Sequence, residues 1–153
     1  MARTVRVQLG AALTQRAAAV VPDSAARRLI ARAARAALRH ENVRDAELSV
    51  TLLDDAEITA MNREFLSHDG VTDVISFALY GEGEDPVGDV YIGCDQALRQ
   101  AISNEVSAAE ELARLAVHGT LHILGHDHPD GSERLKSEMW QLQEKVVKQV
   151  VEG

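Results

Sequence analysis

Four of the six histidines in this 153-residue chain lie within the eleven-residue string HGTLHILGHDH, which begins at His118 and ends at His128. Positions four apart lie on one face of a helix, one turn from each other, so His118 and His122 can direct two imidazoles at a common point. Imidazole nitrogens are common zinc ligands, and two of them at this helical spacing are typical of a zinc site. The string therefore predicts a metal centre.

A third imidazole must come from beyond the helix that carries the first two. If that helix continued, His128 would lie about 9 Å farther along the axis than His122 and would point away from it. Gly125 can adopt the left-handed conformation that ends a helix, and Pro129 prevents the helix from restarting. We therefore expect His118, His122 and His128 to form three corners of a tetrahedron with water at the fourth, as in a catalytic zinc site.

The roles of the remaining polar residues in the string are less constrained. His126 is expected not to bind the metal, because His128 reaches back more naturally after the turn. Asp127 is able to orient a ligand imidazole, to bind the metal itself or to transfer protons. One zinc ion is the expected cofactor for three imidazoles, although nickel or another divalent ion suits the same donors.

The residue after the first histidine bears on the reaction. The pattern HxxxHxxGxxH is also the zinc scaffold of the metzincin proteases, where a glutamate directly after the first histidine is the general base. Gly119 occupies that position here and cannot accept a proton. Peptide hydrolysis by the usual route is therefore disfavoured.

The pattern of apolar residues places this string at the end of one helix in an α+β fold. Ser107 and Glu110 match a helix capping box, and the helix that they begin is expected to run to about Leu124. Strands are predicted at residues 4–9, 47–53, 72–79 and 88–93. The turn-rich loop between the last two strands favours an antiparallel pair.

The other segments predict helices that cover the sheet. The first is opened by Pro22, Asp23 and Ser24 and runs to about His40. The second is capped by Asp54 or Asp55 and runs through Phe65, in a unit that Gly70 ends. A short helix follows at about residues 95–102, and a final helix at about residues 132–150. The expected fold is thus α+β, with about four strands in a mixed sheet covered by helices, in a single domain over residues 1–153.

Composition narrows the class of protein and its compartment. Hydrophobic residues make up 46% and charged residues 26% of the chain, as in ordinary globular proteins. No apolar run approaches the roughly 20 residues of a membrane span, and the N-terminus lacks the apolar segment of a signal peptide. Cys94 is the only cysteine and cannot form an internal disulfide. We therefore expect a cytoplasmic protein without a membrane partner.

The string HGxLHxxGHDH resembles the signature of the YbeY family of bacterial proteins. Asn62-Arg-Glu-Phe65, followed by Asp69-Gly-Val-Thr-Asp-Val-Ile-Ser-Phe77, is similar to that family's Asn-x-x-(Tyr/Phe) and Asp-x-Pro-Thr-Asp-Val-Leu-Ser-Phe segments. Gly88-Asp-Val-Tyr-Ile92 resembles the family's Gly-Asp-Ile-x-Ile strand, and Glu138-Met and Gln143-Glu fit its closing helix. The resemblance covers about residues 45–150 in matching order.

The resemblance implies a metal-dependent endoribonuclease specific for single-stranded RNA. The family's role is maturation of ribosomal RNA, notably at the 3′ end of the small-subunit RNA, and ribosome quality control. Expected partners are therefore ribosomal RNA and the small subunit or its assembly factors, whereas the oligomeric state is not indicated. The family's three metal ligands correspond to His118, His122 and His128.

Two positions depart from the family pattern. Val71 replaces the usual proline, which loosens a turn, and Leu66 stands where many members have an arginine thought to assist RNA binding or cleavage. The proton acceptor is unassigned, with zinc-bound hydroxide, Asp127 and Asp73 as alternatives; Asp73 is also suited to a backbone hydrogen bond at a strand start. A zinc hydrolase acting on another substrate and a non-catalytic ribosome-assembly factor with a structural metal remain alternative functions.

The charge is distributed unevenly along the chain. The net charge is -8, yet residues 1–50 carry nine Arg against four Asp or Glu. Four of these arginines recur at helical spacing and predict one stripe, namely Arg28, Arg32, Arg35 and Arg39. This arginine stripe is a candidate contact for RNA phosphates, and the alternative is a solvated helix face opposite an apolar one.

Overall fold

The computed structural model describes residues 4–10, 13–127 and 137–153. Within those residues the elements are β1 (Thr4–Gly10), α1 (Gln15–Ala18), α2 (Asp23–His40), β2 (Asp45–Leu53), α3 (Asp55–Leu66), β3 (Val74–Ala78), β4 (Val87–Gly93), α4 (Cys94–Ser103), α5 (Ala108–Ile123) and α6 (Glu138–Glu152). The predicted α+β class and mixed four-stranded sheet are confirmed. No helix in these ranges is long and apolar enough to cross a membrane.

The sheet has the strand order β1-β2-β4-β3. β1 pairs with β2 and β2 with β4 in parallel, whereas β3 runs antiparallel to β4, as the loop between them predicted. Alternate residues of the central strands, Leu48 and Val50 of β2 and Val90 and Ile92 of β4, are buried in one core. α2 and α5 pack against this core from the same face.

α5 packs closely on β4 because a glycine, which has no side chain, lies on each side of the contact: Gly119 on the helix and Gly88 on the strand. A Cβ atom on Gly119 would lie 2.6 Å from Cγ1 of Val90, and one on Gly88 would lie 2.6 Å from Cδ1 of Ile123. Both distances are far shorter than carbon atoms tolerate. Gly119 therefore faces β4, and this packing is the physical reason that a glutamate has no room at this position.

The helix after β2 agrees with the prediction at both ends. α3 begins after Asp54, which forms a capping box with Glu57, and it ends before Ser67, whose left-handed φ is 56°. Gly70 lies in the following loop, and its carbonyl accepts a bond from the Asn62 side chain. The helix therefore spans the residues that the sequence predicted, and the loop after it is held by this bond.

α6 begins later than the predicted residue 132. Ser137 is extended and its hydroxyl accepts the Trp140 N–H at 3.1 Å, so the helix begins at Glu138. The residues before Ser137, from 128 to 136, lie outside the described ranges.

Candidate functional site

α5 brings two of the three predicted metal ligands together. The Nε2 atoms of His118 and His122 lie 3.0 Å apart, and the two rings cross at 78°. His118 is buried, with 7% of its surface exposed, and His122 is half-buried. At this distance the two nitrogens either share a proton or face a common ion.

The chain leaves α5 through the glycine turn that the sequence predicted. Gly125 has a φ of +98°, and the N–H groups of Gly125 and His126 donate to the carbonyls of His122 and Leu121, both at 3.0 Å. This pattern is a Schellman motif. The Tyr80 hydroxyl donates to the carbonyl of Ile123 at 2.7 Å and so satisfies a further carbonyl group at the C-terminal end of α5. His128, the third predicted ligand, lies outside the described residues.

His126 and Asp127 lie on the chain that leaves this turn. The His126 imidazole contacts the carboxylate of Glu41, the residue that ends α2, through its Nε2 atom. Its ring therefore contacts a different helix from the one that carries His118 and His122. Asp127 is exposed.

Gln143 of α6 contacts His118 on the side opposite His122. Its Oε1 atom lies 2.5 Å from His118 Nδ1, and its Nε2 atom donates to Glu144 Oε2 at 3.0 Å. Since Glu144 accepts, the amide oxygen must face His118, and His118 Nδ1 carries the proton. The His118 Nε2 lone pair then points towards His122, which is the state that a metal ligand requires.

Sequence reasoning gave Gln143 no role at the site. One signal was present: Gln143 lies at helical spacing between Met139 and Val146, on a face that is otherwise apolar. A polar residue on such a face must find a buried partner. The identity of that partner depends on how α6 packs against α5, which the spacing does not reveal.

A partly buried arginine organises the carboxylates beside this contact. Arg114 binds both oxygens of Glu144 at 2.9 Å, and it also binds Glu111 at 2.8 Å and Glu110 at 3.0 Å. Burial alone would lower the pKa of Arg114, but the hydrogen bonds to Glu144 and Glu111 raise it above its ordinary value. Burial would likewise raise the pKa of Glu144, but hydrogen bonds from Arg114 and Gln143 hold it below its usual range. Arg114 and Glu144 therefore form an ionised pair.

His118 and this cluster open into a cavity of about 630 Å³. Residues from four parts of the fold line it, including Asp73, Asn104, Arg114, His118, Trp140 and Glu144. Asp73 directly precedes β3, and its backbone carbonyl accepts the Gly93 N–H at 2.8 Å. The candidate proton acceptor Asp73 thus shares a cavity with His118, and its backbone also makes a contact at the strand start.

The described side chains provide part of a metal site. Within residues 4–10, 13–127 and 137–153, no group of three or more His, Cys, Asp or Glu side chains could hold one. Two ligands about 2.0–2.1 Å from a tetrahedral zinc ion lie about 3.3 Å apart. The 3.0 Å separation of the His118 and His122 nitrogens is close to that value, and both are imidazoles. This pair of donors therefore fits two corners of a zinc site.

The arginine stripe lies at the surface, as do Leu66 and Val71, the two apolar residues that depart from the family pattern. All four arginines of the stripe are exposed; Arg32 donates to the carbonyl of Val150 and Arg35 to that of Val5, both at 3.0 Å. Leu66, the last residue of α3, is 42% exposed, and Val71 is 43% exposed. The stripe is accessible to phosphates, whereas Leu66 offers them no charge.

Comparison with known proteins links this chain to a nuclease family. The family model described as Endoribonuclease YbeY matches residues 12–151. A Geobacillus kaustophilus protein named Endoribonuclease YbeY is 44% identical over 119 residues, which cover 70% of this chain and 75% of that protein. Proteins of the same name from Desulfitobacterium hafniense and Azorhizobium caulinodans are 41% and 42% identical, covering 69% and 74% of this chain and 73% and 74% of their own lengths.

A solved structure supports the fold independently. The solution structure of TM1509 from Thermotoga maritima matches with a TM-score of 0.60 and covers 96% of this chain and 89% of that protein. At 24% sequence identity, this likeness supports the fold alone.

Proposed function

This chain belongs to the YbeY endoribonuclease family, and from that premise we propose that it is a zinc-dependent endoribonuclease that cleaves single-stranded RNA. Its proposed role is maturation of ribosomal RNA, at the 3′ end of the small-subunit RNA, together with ribosome quality control. The observation that carries the proposal is the pair of imidazole nitrogens 3.0 Å apart beside an open cavity. The cytoplasm is the proposed compartment, as expected from a free, buried Cys94.

The proposed ligands are His118, His122 and His128. A bound zinc ion would supply Lewis-acid polarisation of a phosphoryl oxygen and activation of water for phosphodiester cleavage. Another divalent ion suits the same donors.

The residues of the chain supply positioning and proton transfer. Gln143 keeps the His118 Nδ1 atom protonated and its Nε2 atom available. Asp73 lines the same cavity, so its carboxylate is the proposed acceptor of a proton from the attacking water. Gly119 faces the sheet, which supports a nuclease over a peptidase of the metzincin type.

RNA affinity has to arise largely outside the cavity. Among the described residues that line the cavity, Arg114 is the one Arg or Lys side chain, and it is already bound to three carboxylates, while Asp73 adds a further acidic group. We propose that the arginine stripe on α2 supplies phosphate contacts instead. The position of α2 supports this proposal. Glu41, directly after α2, contacts His126, which is four residues beyond His122, so the C-terminal end of α2 lies near the histidine pair.

Cleavage of a single-stranded fragment of small-subunit ribosomal RNA tests the nuclease. Zinc-loaded wild type, chelator-stripped wild type and His122→Ala would be compared, with a double-stranded RNA of equal length as a second substrate. His68→Ala is the matched control, since His68 is an exposed histidine in the loop after α3. We expect cleavage of the single strand by the loaded wild type and by His68→Ala, and one bound zinc ion in each.

Other outcomes separate the alternatives. Equal cleavage by all preparations would identify a contaminating nuclease. One bound zinc ion without RNA cleavage would favour the assembly factor, for which the apolar Leu66 is the supporting observation. Cleavage of a casein panel by wild type but not by His122→Ala would establish a peptidase instead.

The arginine stripe has its own test. Arg28 and Arg39 are exposed on the surface of α2, so their replacement by glutamine should leave the fold intact. If both contact phosphates, the slope of log affinity against log salt should fall by about 1.4 in the double variant. Arg16→Gln, on α1, is the control. An unchanged slope in the double variant would leave the stripe as a solvated helix face.

A further inference from the structure

We infer that Gln143 is the positioning residue for His118, and that Glu144 and Arg114 fix the orientation of the Gln143 amide that this role requires. The inference deepens the metal site proposed above and rests on it for its functional meaning. The three contacts form one chain from Arg114 through Glu144 and Gln143 to His118. We refer to these four residues as the imidazole relay.

The orientation of the amide decides which nitrogen of His118 carries the proton. In the orientation observed, the amide oxygen accepts from Nδ1–H, so Nε2 is left with its lone pair. If the amide were flipped, its NH2 group would face Nδ1 and force the proton onto Nε2, where a metal ligand cannot carry it. The tautomer of His118 is thus set by an amide whose two ends are chemically different.

Glu144 is what distinguishes the two orientations. An ionised carboxylate only accepts hydrogen bonds, so it attracts the amide NH2 group and repels the amide oxygen. Gln143 is 1% exposed, which leaves little water to compensate a flipped amide. Arg114 holds both Glu144 oxygens and so keeps the carboxylate in place.

The relay lies on two helices rather than on loops. Arg114 and His118 are one turn apart on α5, and Gln143 and Glu144 are neighbours on α6. Arg114 also binds Glu110 and Glu111 of its own helix, which limits its rotation. A ligand imidazole held in this way is prepared before metal arrives, and loss of such a partner typically reduces metal affinity by about 10- to 100-fold.

The experiment measures the tautomer and the metal affinity separately. Ring nitrogens of His118 would be observed by NMR in ¹⁵N-histidine-labelled, chelator-treated protein, and the zinc dissociation constant by competition with a chromogenic chelator. The variants are Gln143→Met, which keeps the volume without an acceptor, and Glu144→Gln, which removes the charge that orients the amide. Gln141→Met is the matched control, because Gln141 is exposed on the same helix.

We expect wild type and Gln141→Met to carry the proton on His118 Nδ1. In Gln143→Met the Nε2-protonated form should appear and zinc should bind about 10- to 100-fold more weakly. Glu144→Gln should shift the tautomer in the same direction but less, and it serves as the test if Gln143→Met fails to fold.

Two results would overturn the inference. One is a wild-type His118 protonated on Nε2; the other is an unchanged tautomer and zinc affinity in the folded variants, even with lower stability to urea. That second result would make Gln143 a purely structural contact. If wild type bound no zinc, the metal proposal would fail. The NMR measurement of the His118 tautomer in wild type and variants would still test whether Gln143 positions His118.

Discussion

Gly119→Ala should destabilise the protein, although alanine is the better helix former. The new Cβ atom would lie 2.6 Å from Val90 Cγ1, 3.2 Å from Val90 Cγ2 and 3.3 Å from Val74 Cγ2. Carbon atoms pack best at about 3.5–4.0 Å, so α5 would have to move from the sheet by a sizeable fraction of an ångström. Val90 is fully buried and β-branched, and it cannot rotate away without strain.

The expected magnitude follows from two opposing effects. Overpacking of a core costs about 1–3 kcal/mol. Replacing glycine by alanine inside a helix returns about 1 kcal/mol. The free energy of unfolding of Gly119→Ala should therefore fall by up to about 2 kcal/mol, and the shift of α5 should also displace His118, its neighbour.

A double-mutant cycle with Val90→Ala isolates the clash. Val90→Ala removes both methyl groups that the new Cβ atom would strike, so in that background Gly119→Ala should be neutral or stabilising by up to about 1 kcal/mol. Urea unfolding gives the four free energies. Ala60→Gly, at an exposed position within α3, measures the helix-propensity effect and should cost about 1 kcal/mol. An equal cost of Gly119→Ala in both backgrounds would refute the packing argument.

Three further predictions concern the surroundings of the site. Gly125→Ala should cost about 1–2 kcal/mol in urea unfolding, because φ is +98° while nothing lies within 4 Å of a new Cβ atom, and Gly125→Asn should cost less. Tyr80→Phe should cost about 1 kcal/mol through loss of the hydrogen bond to Ile123, and an unchanged midpoint would show that water replaces it. Burial raises the pKa of Cys94 from 9.0 to about 11, so the folded thiol keeps a proton that the unfolded thiol loses, and stability should decline between about pH 9 and pH 11. The decline should be shallower in Cys94→Ala, and parallel curves would contradict the assignment.

The features that sequence predicted well are those set by neighbouring residues. The start of α5 at Ser107, its glycine turn at Gly125 and the approach of His118 to His122 all depend on spacings of one or two turns. The alternation of apolar residues in β2 and β4 likewise indicated strands before their partners were known.

The features that sequence missed join distant segments. The contact of His118 with Gln143 spans 25 residues, and that of His126 with Glu41 spans 85. Each depends on how two helices pack, which no local spacing records. The left-handed conformation of Ser67, directly after α3, was likewise not predicted, because serine seldom adopts it.

The central position of α5 has a consequence for how the site responds to thermal fluctuation. Most residues of α5 are buried, and the helix packs against α2, α4, α6 and two strands. Amide hydrogens from Val117 to His122 should therefore exchange with solvent only when the whole molecule unfolds, at rates set by global stability. His118 and His122 therefore stay together for as long as the core stays folded. Substitutions far from the cavity that destabilise the core will also shorten the time for which the two imidazoles are held together.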